Sequence, residues 1–198
     1  MQNLQVPNSL PAGTAATLQF EACLAEGRSH ALELASEEYR GDIRLVEAKL
    51  HEAEHSPPSI PDKEQRFSMC GKCEHIYHEG FLVGLKQAIE IIRGQLDTDE
   101  PSNGKISPTF RVVMWLAGGR REAFHFALNH HSDLSAIQAE IQESEELINS
   151  PYMRTGSMAP NASPRIAREG YLLGLREAVI IINLAAFEHL GRDPYGPE

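Results

Sequence analysis

Cysteine is scarce. Cys23, Cys70 and Cys73 are the only three in 198 residues, an odd set that does not suggest the even framework stapling a small secreted domain. Basic residues are also short, with 18 Lys and Arg against 28 Asp and Glu, a formal charge of -10. That deficit argues against direct nucleic-acid binding, which needs a cationic footprint to displace counterions from phosphates. It favours basic partners, or simply solubility. No apolar run approaches the roughly 20 residues of a membrane span. The stretch MQNLQVPNSLPAGTAATLQF lacks the basic start and apolar centre of a secretory signal, so a cytoplasmic protein is expected. No hairpin signal and no alternating strand pattern occurs.

What the chain does contain is itself, twice. Residues 79–92 read EGFLVGLKQAIEII and residues 169–182 read EGYLLGLREAVIII, with eight of fourteen positions identical. Two further matches follow in the same order. LAEGRSHALELA at 24–35 faces LAGGRREAFHFA at 116–127, and DIRLVEAKLHEAE at 42–54 faces DLSAIQAEIQESE at 133–145. Two copies are too few for a solenoid, which needs about three repeats. The expectation is an all-α helical bundle, a tandem duplication of a three-helix unit related by a pseudo-twofold. Tails at 1–13 and 192–198 would flank unit one (14–96), a polar linker (97–107) and unit two (108–191).

Within unit one, helices are expected from Thr14 to Arg40, from Asp42 to His55, and from a start between Asp62 and Cys73 to about Gly94. Unit two repeats them from Pro108 to His130, from a cap at Ser132, and from Ser163-Pro164 to about Gly191. Proline at the first helical position and glycine just past the end follow the usual asymmetry of helix termini. Ile43, Val46 and Leu50, matched by Leu134, Ile137 and Ile141, have helical spacing.

Glycine inside a helix costs about 1 kcal/mol against alanine, so the glycines kept in both copies need a reason. Gly80, Gly84 and Ala88 share one face, as do Gly170, Gly174 and Ala178; Gly27 and Gly119 open similar stripes on the first helices. Small residues on one stripe let two backbones approach closely. The first and third helices of each unit are therefore expected to cross there, with a third-to-third crossing as the rival. A phosphate loop would need a strand before the glycines.

Several side-chain groups could carry chemistry. Cys70 and Cys73, with His75 and His78 behind them, offer zinc-type donors. Their spacing is cramped for a zinc module, and a helix start with reduced thiols is preferred. Glu52/His55 and Glu122/His125 have the Glu-x-x-His spacing of di-metal bundles, yet fall at unmatched positions of the two copies. His130 and His131, beside Ser132 and Asp133, are read as a helix end favouring imidazolium. Glu79 and Glu169 are expected to pair with Arg28 and Arg120. No metal or cofactor is expected.

The segment from Ser132 to Asn149 holds five acids and no Lys or Arg. Its Glu140, Glu143, Glu145 and Glu146 are candidate partner contacts, as are Tyr152, Met153 and Arg154 of the following loop and Arg66 and Phe67 of the loop matching it. Long loops of this kind are usually functional or disordered, and Tyr, Met and Arg are enriched in interfaces. The expected function is non-enzymatic docking on a basic protein surface, inhibiting a nucleic-acid-binding complex in the manner of a phage or plasmid counter-defence factor. A metal-dependent helical enzyme using some of His75, His78, Glu79, Glu122 and His125 is one alternative. A homo-oligomeric scaffold is the other.

Overall fold

Capping side chains set where the helices begin. Ser107 accepts the Phe110 N–H at 3.0 Å and Pro108 fills the first turn, starting a helix with no donor wasted. Asp42 and Asp133 do the same through the N–H groups of Arg44 and of Ser135 and Ala136. The cap of the fifth helix is thus Asp133 and not Ser132, because the carboxylate reaches two amide donors at once. The first helix stops at Glu37, short of Arg40. The chain turns there through Arg40 (φ 47°) and Gly41 (φ 76°), left-handed backbone that glycine adopts at little cost.

The computed structural model describes residues 12–59, 71–96, 106–151 and 162–191, and of residues 12, 71–73, 95–96, 162–163 and 187–191 the backbone alone. It is an all-α bundle of six helices, and no strand occurs among the described residues. The helices are α1 (Ala12–Glu37), α2 (Ile43–His55), α3 (Gly71–Leu96), α4 (Pro108–Asn129), α5 (Leu134–Asn149) and α6 (Ala162–Gly191). No described helix is long and apolar enough to cross a membrane.

Two apolar clusters form the core. Leu18, Ala22 and Ala25 of α1 join Phe124 and Ala127 of α4, Ile137 of α5 and Leu175, Ala178 and Ile182 of α6. The second half of α1, through Leu32 and Ala35, joins Phe110 and Ala117 of α4, Val46 and Ala53 of α2, and Phe81, Leu85 and Ile89 of α3. The start of α1 thus meets the end of α4, and the reverse, so this central pair runs antiparallel. One cluster lies on each side of it, α3 packing on α1 and α6 on α4.

Those outer contacts are close enough to exclude a β-carbon. A Cβ on Gly27 would sit 2.1 Å from the Tyr77 carbonyl oxygen, and one on Gly80 would sit 2.3 Å from that of Leu24. Across α4 and α6, a Cβ on Gly119 would sit 2.0 Å from the Ala167 oxygen, and one on Gly170 would sit 2.5 Å from that of Leu116. A Cβ on Gly84 or Gly174 would fall 2.7 or 2.6 Å from the methyl group of Ala31 or Ala123, and Ala88 and Ala178 are fully buried further along. Dispersion between backbones packed this tightly offsets the poor helix propensity of glycine.

Candidate interaction surface

The middle of the α1–α4 pair is polar on two sides. On one, Glu26 is 6% exposed and lies 3.5 Å from Arg121 Nε and 3.1 Å from His125 Nε2. Arg121 also donates to Glu33 at 3.3 Å, and Ser29 donates to the same carboxylate at 3.1 Å. His30 shares a hydrogen bond with the buried Tyr77 hydroxyl of α3. Burial holds the His30 imidazole below its usual pKa, against the opposing pull of Glu33 and Glu26.

On the other side stand two arginines. Arg120 donates through Nε to Glu177 at 2.8 Å, has Glu21 at 3.8 Å, and lies over the Phe124 ring. Arg28 donates to Gln87 at 2.8 Å. Burial, then the charge of Arg120, lowers the Arg28 pKa. The expected pairing of these arginines with Glu79 and Glu169 is therefore corrected. Glu79 pairs with His75 at 3.2 Å and Glu169 with Arg165 at 3.0 Å, each one turn away on its own exposed helix face. The central arginines take acceptors one helix over, on α3 and α6. A cleft of about 250 Å³ opens beside Arg120, lined by Glu21, Phe124, Glu177, Ile180 and Ile181.

The acidic α5 divides by face. Glu140 turns inward to Arg168 at 3.6 Å, and Glu145 reaches Arg176 at 2.6 Å, so both tie α5 to α6. Burial, then the Glu140 carboxylate that accepts its hydrogen bond, pushes the Tyr171 hydroxyl far up in pKa. Glu143 and Glu146 are exposed on the outer face, where Glu146 accepts from Gln142 of its own helix. On α2, Glu47 is held by Arg93 and Glu52 by Lys49. Tyr152, Met153, Arg154, Arg66, Phe67 and Cys70 lie outside the described residues, as does the Cys73 side chain.

The histidines suggested for metal chemistry are spread apart. His78 Nε2 donates to the Ala53 carbonyl at 2.7 Å, His55 bonds the His51 carbonyl, and His125 faces Glu26 while Glu122 is exposed. Among the described residues no three His, Cys, Asp or Glu side chains gather closely enough to hold a metal. His130 ends α4 stacked on Phe126, and His131 bonds the Leu128 carbonyl at 2.8 Å.

Sequence reasoning passed over the Glu26–Arg121–His125 network and the cleft. The network had a legible signal: Glu26 and Glu33 are seven apart on one face of α1, and Arg121 and His125 four apart on α4. The cleft had none, because it joins residues from three helices. Compared with known proteins, the chain matches no family model, no curated protein and no solved structure.

Proposed function

We propose that this chain is a non-enzymatic interaction protein whose acidic outer helices dock on a basic protein surface. Where that surface otherwise holds nucleic acid, docking inhibits the complex, the action of a phage or plasmid counter-defence factor. The supporting observation is the division of α5. Glu140 and the half-exposed Glu145 pair with Arg168 and Arg176 of α6, while Glu143 and Glu146 project outward with no Lys or Arg on the helix to balance them. Uncompensated charge on one face accelerates encounter with a complementary partner.

Charge reversal tests this directly. Glu143→Lys with Glu146→Lys leaves the α5–α6 ion pairs intact, so the fold is retained. A lysate pull-down read by mass spectrometry at low and high salt then compares the two proteins. The wild-type chain is expected to retain a basic nucleic-acid-handling protein at low salt and release it at high salt, and the variant to retain none. The same partner held equally by both proteins would sink the reading.

The architecture is also read here as a duplicated three-helix unit about a pseudo-twofold. The collinear sequence matches support it, as do the equivalent partners met by Gly27 and Gly119, Gly80 and Gly170, and Gly84 and Gly174.

A further inference from the structure

We infer that the groove between α6 and the N-terminal half of α1 docks an amphipathic helix of a partner protein that carries a lysine or arginine. The first observation is an outward seam. Leu173, Ile180 and Leu184 are 51, 57 and 59% exposed, although the opposite face of α6 is the one packed on α4. With Glu177 they fall at 173, 177, 180 and 184, the alternating four-and-three spacing by which one helix receives another. Residues 83, 87, 90 and 94 of α3 are Val, Gln, Glu and Gly. Val83 is exposed as Leu173 is, but Glu90 and Gly94 stand where α6 has Ile180 and Leu184, so the seam as a whole is particular to α6.

The second observation is the cleft beside the seam. Phe124, Ile180 and Ile181 supply its apolar lining, and Glu21, Glu177 and Arg120 its polar groups. Glu21 and Glu177 are balanced there by Arg120 and the neighbouring Arg28, so the preference for a cation comes from the acidic chain as a whole, of formal charge -10. Charge also selects between occupants. A second copy would bring another chain of formal charge -10 against the first, whereas a basic amphipathic helix complements both the seam and the acidic chain around it. The three aliphatic side chains alone fall short of the roughly 800 Å² per partner of a standard stable interface. The mode is therefore a helix laid in a groove, with its cationic side chains flanking the seam.

This surface is distinct from the outer face of α5, so either can fail alone. The probe is a fluorescently labelled three-heptad peptide with Leu at the seam positions and Lys flanking them, compared with the same peptide carrying Glu flanks. Anisotropy with the full chain is expected to show binding of the Lys peptide and none of the Glu peptide. Ile180→Ser with Leu184→Ser changes no charge and touches only exposed side chains, so circular dichroism is retained. It is expected to weaken the Lys peptide at least tenfold, while Glu143→Lys with Glu146→Lys still binds it. Equal affinity of the Ser variant and the wild type would overturn the proposal, showing only general attraction to an acidic protein. So would failure of the Lys peptide to bind. A wild-type dimer by light scattering that the Ser variant turns into a monomer would assign the seam to a second copy instead.

Discussion

Gly118 and Gly119 are neighbours in the middle of α4, and the same substitution is expected to act on them with opposite signs. Either change to alanine gains about 1 kcal/mol of helix propensity. At Gly118 the new methyl meets only the Ser29 hydroxyl oxygen, at 3.9 Å, an ordinary contact. That gain is therefore kept, and Gly118→Ala stabilises by up to about 1 kcal/mol. At Gly119 the methyl would lie 2.0 Å from the Ala167 oxygen and 2.7 Å from the Tyr171 nitrogen, both backbone atoms of α6. A carbon and an oxygen need more than 3 Å, so α6 must back away by over ~1 Å, loosening the cluster of Phe124, Leu175 and Ala178. Overpacking costs about 1–3 kcal/mol when side chains can yield. Here only backbone is available to move, so the upper end applies and the net loss is about 2 kcal/mol. Urea titrations with a common slope would show the two midpoints on opposite sides of the wild type. For a chain of this size the melting temperatures should differ by about 6–12 °C. If Gly119→Ala lies within about 0.5 kcal/mol of Gly118→Ala, the close approach of α4 and α6 is wrong.

Three other perturbations follow from the packing. Ser144 is fully buried and its hydroxyl has no hydrogen-bond partner among the described residues, while the matching position in α2 is Ala53; Ser144→Ala is expected to be neutral or stabilising by up to about 1 kcal/mol in the same titration, and a loss would refute this. Glu26→Gln removes the carboxylate between Arg121 and His125. Breaking a buried pair costs about 3–5 kcal/mol, but Arg121 is a quarter exposed and keeps Glu33, so about 2 kcal/mol is expected; no measurable loss would place the network in solvent. His30 has a folded-state pKa below 6.5, so on acidification the unfolded chain takes up its proton first. Its contribution to stability is full above pH 6.5 and falls as pH drops through the folded value. His30→Gln should show a shallower loss as pH falls below 6.5, and parallel curves would contradict the burial of the ring.

The helices were legible because their signals are local. Pro108 after Ser107, Gly41 before Asp42, and the 3.6-residue spacing of Val46 and Leu50 all act within a few residues of chain. The glycine stripes were legible for a different reason: a costly residue at matched positions 27 and 119 must be recovered somewhere by packing. What stayed hidden depends on which helix lies next to which. Glu79 and Arg28 look like partners when only their sequence matches are compared. The parallel packing of α1 and α3 instead sets Arg28 level with Gln87, leaving Glu79 one turn from His75 on an exposed face. The acidic run of α5 misleads in the same way, since period alone does not tell Glu140, facing Arg168, from Glu143, facing outward. An arginine on α6 decides that, about thirty residues away.

The placement of the central polar network follows from what the two apolar clusters leave undecided. Aliphatic side chains of α1 and α4 would pack nearly as well with one helix slid by a turn, because cores tolerate hydrophobic rearrangement at small cost. Such a slide would carry Glu26 away from Arg121 and His125 and leave a carboxylate buried without a partner, at a penalty of several kcal/mol. It would also carry Glu21 away from Arg120, 3.8 Å off across the same pair. Two polar anchors on opposite sides of one helix pair therefore fix its register. Net stability comes instead from the apolar clusters and the glycine contacts that flank the pair. A double replacement of Glu26 and Arg121 by Met should accordingly cost less than Glu26→Gln alone, while admitting alternative registers visible as broadened amide resonances in α1.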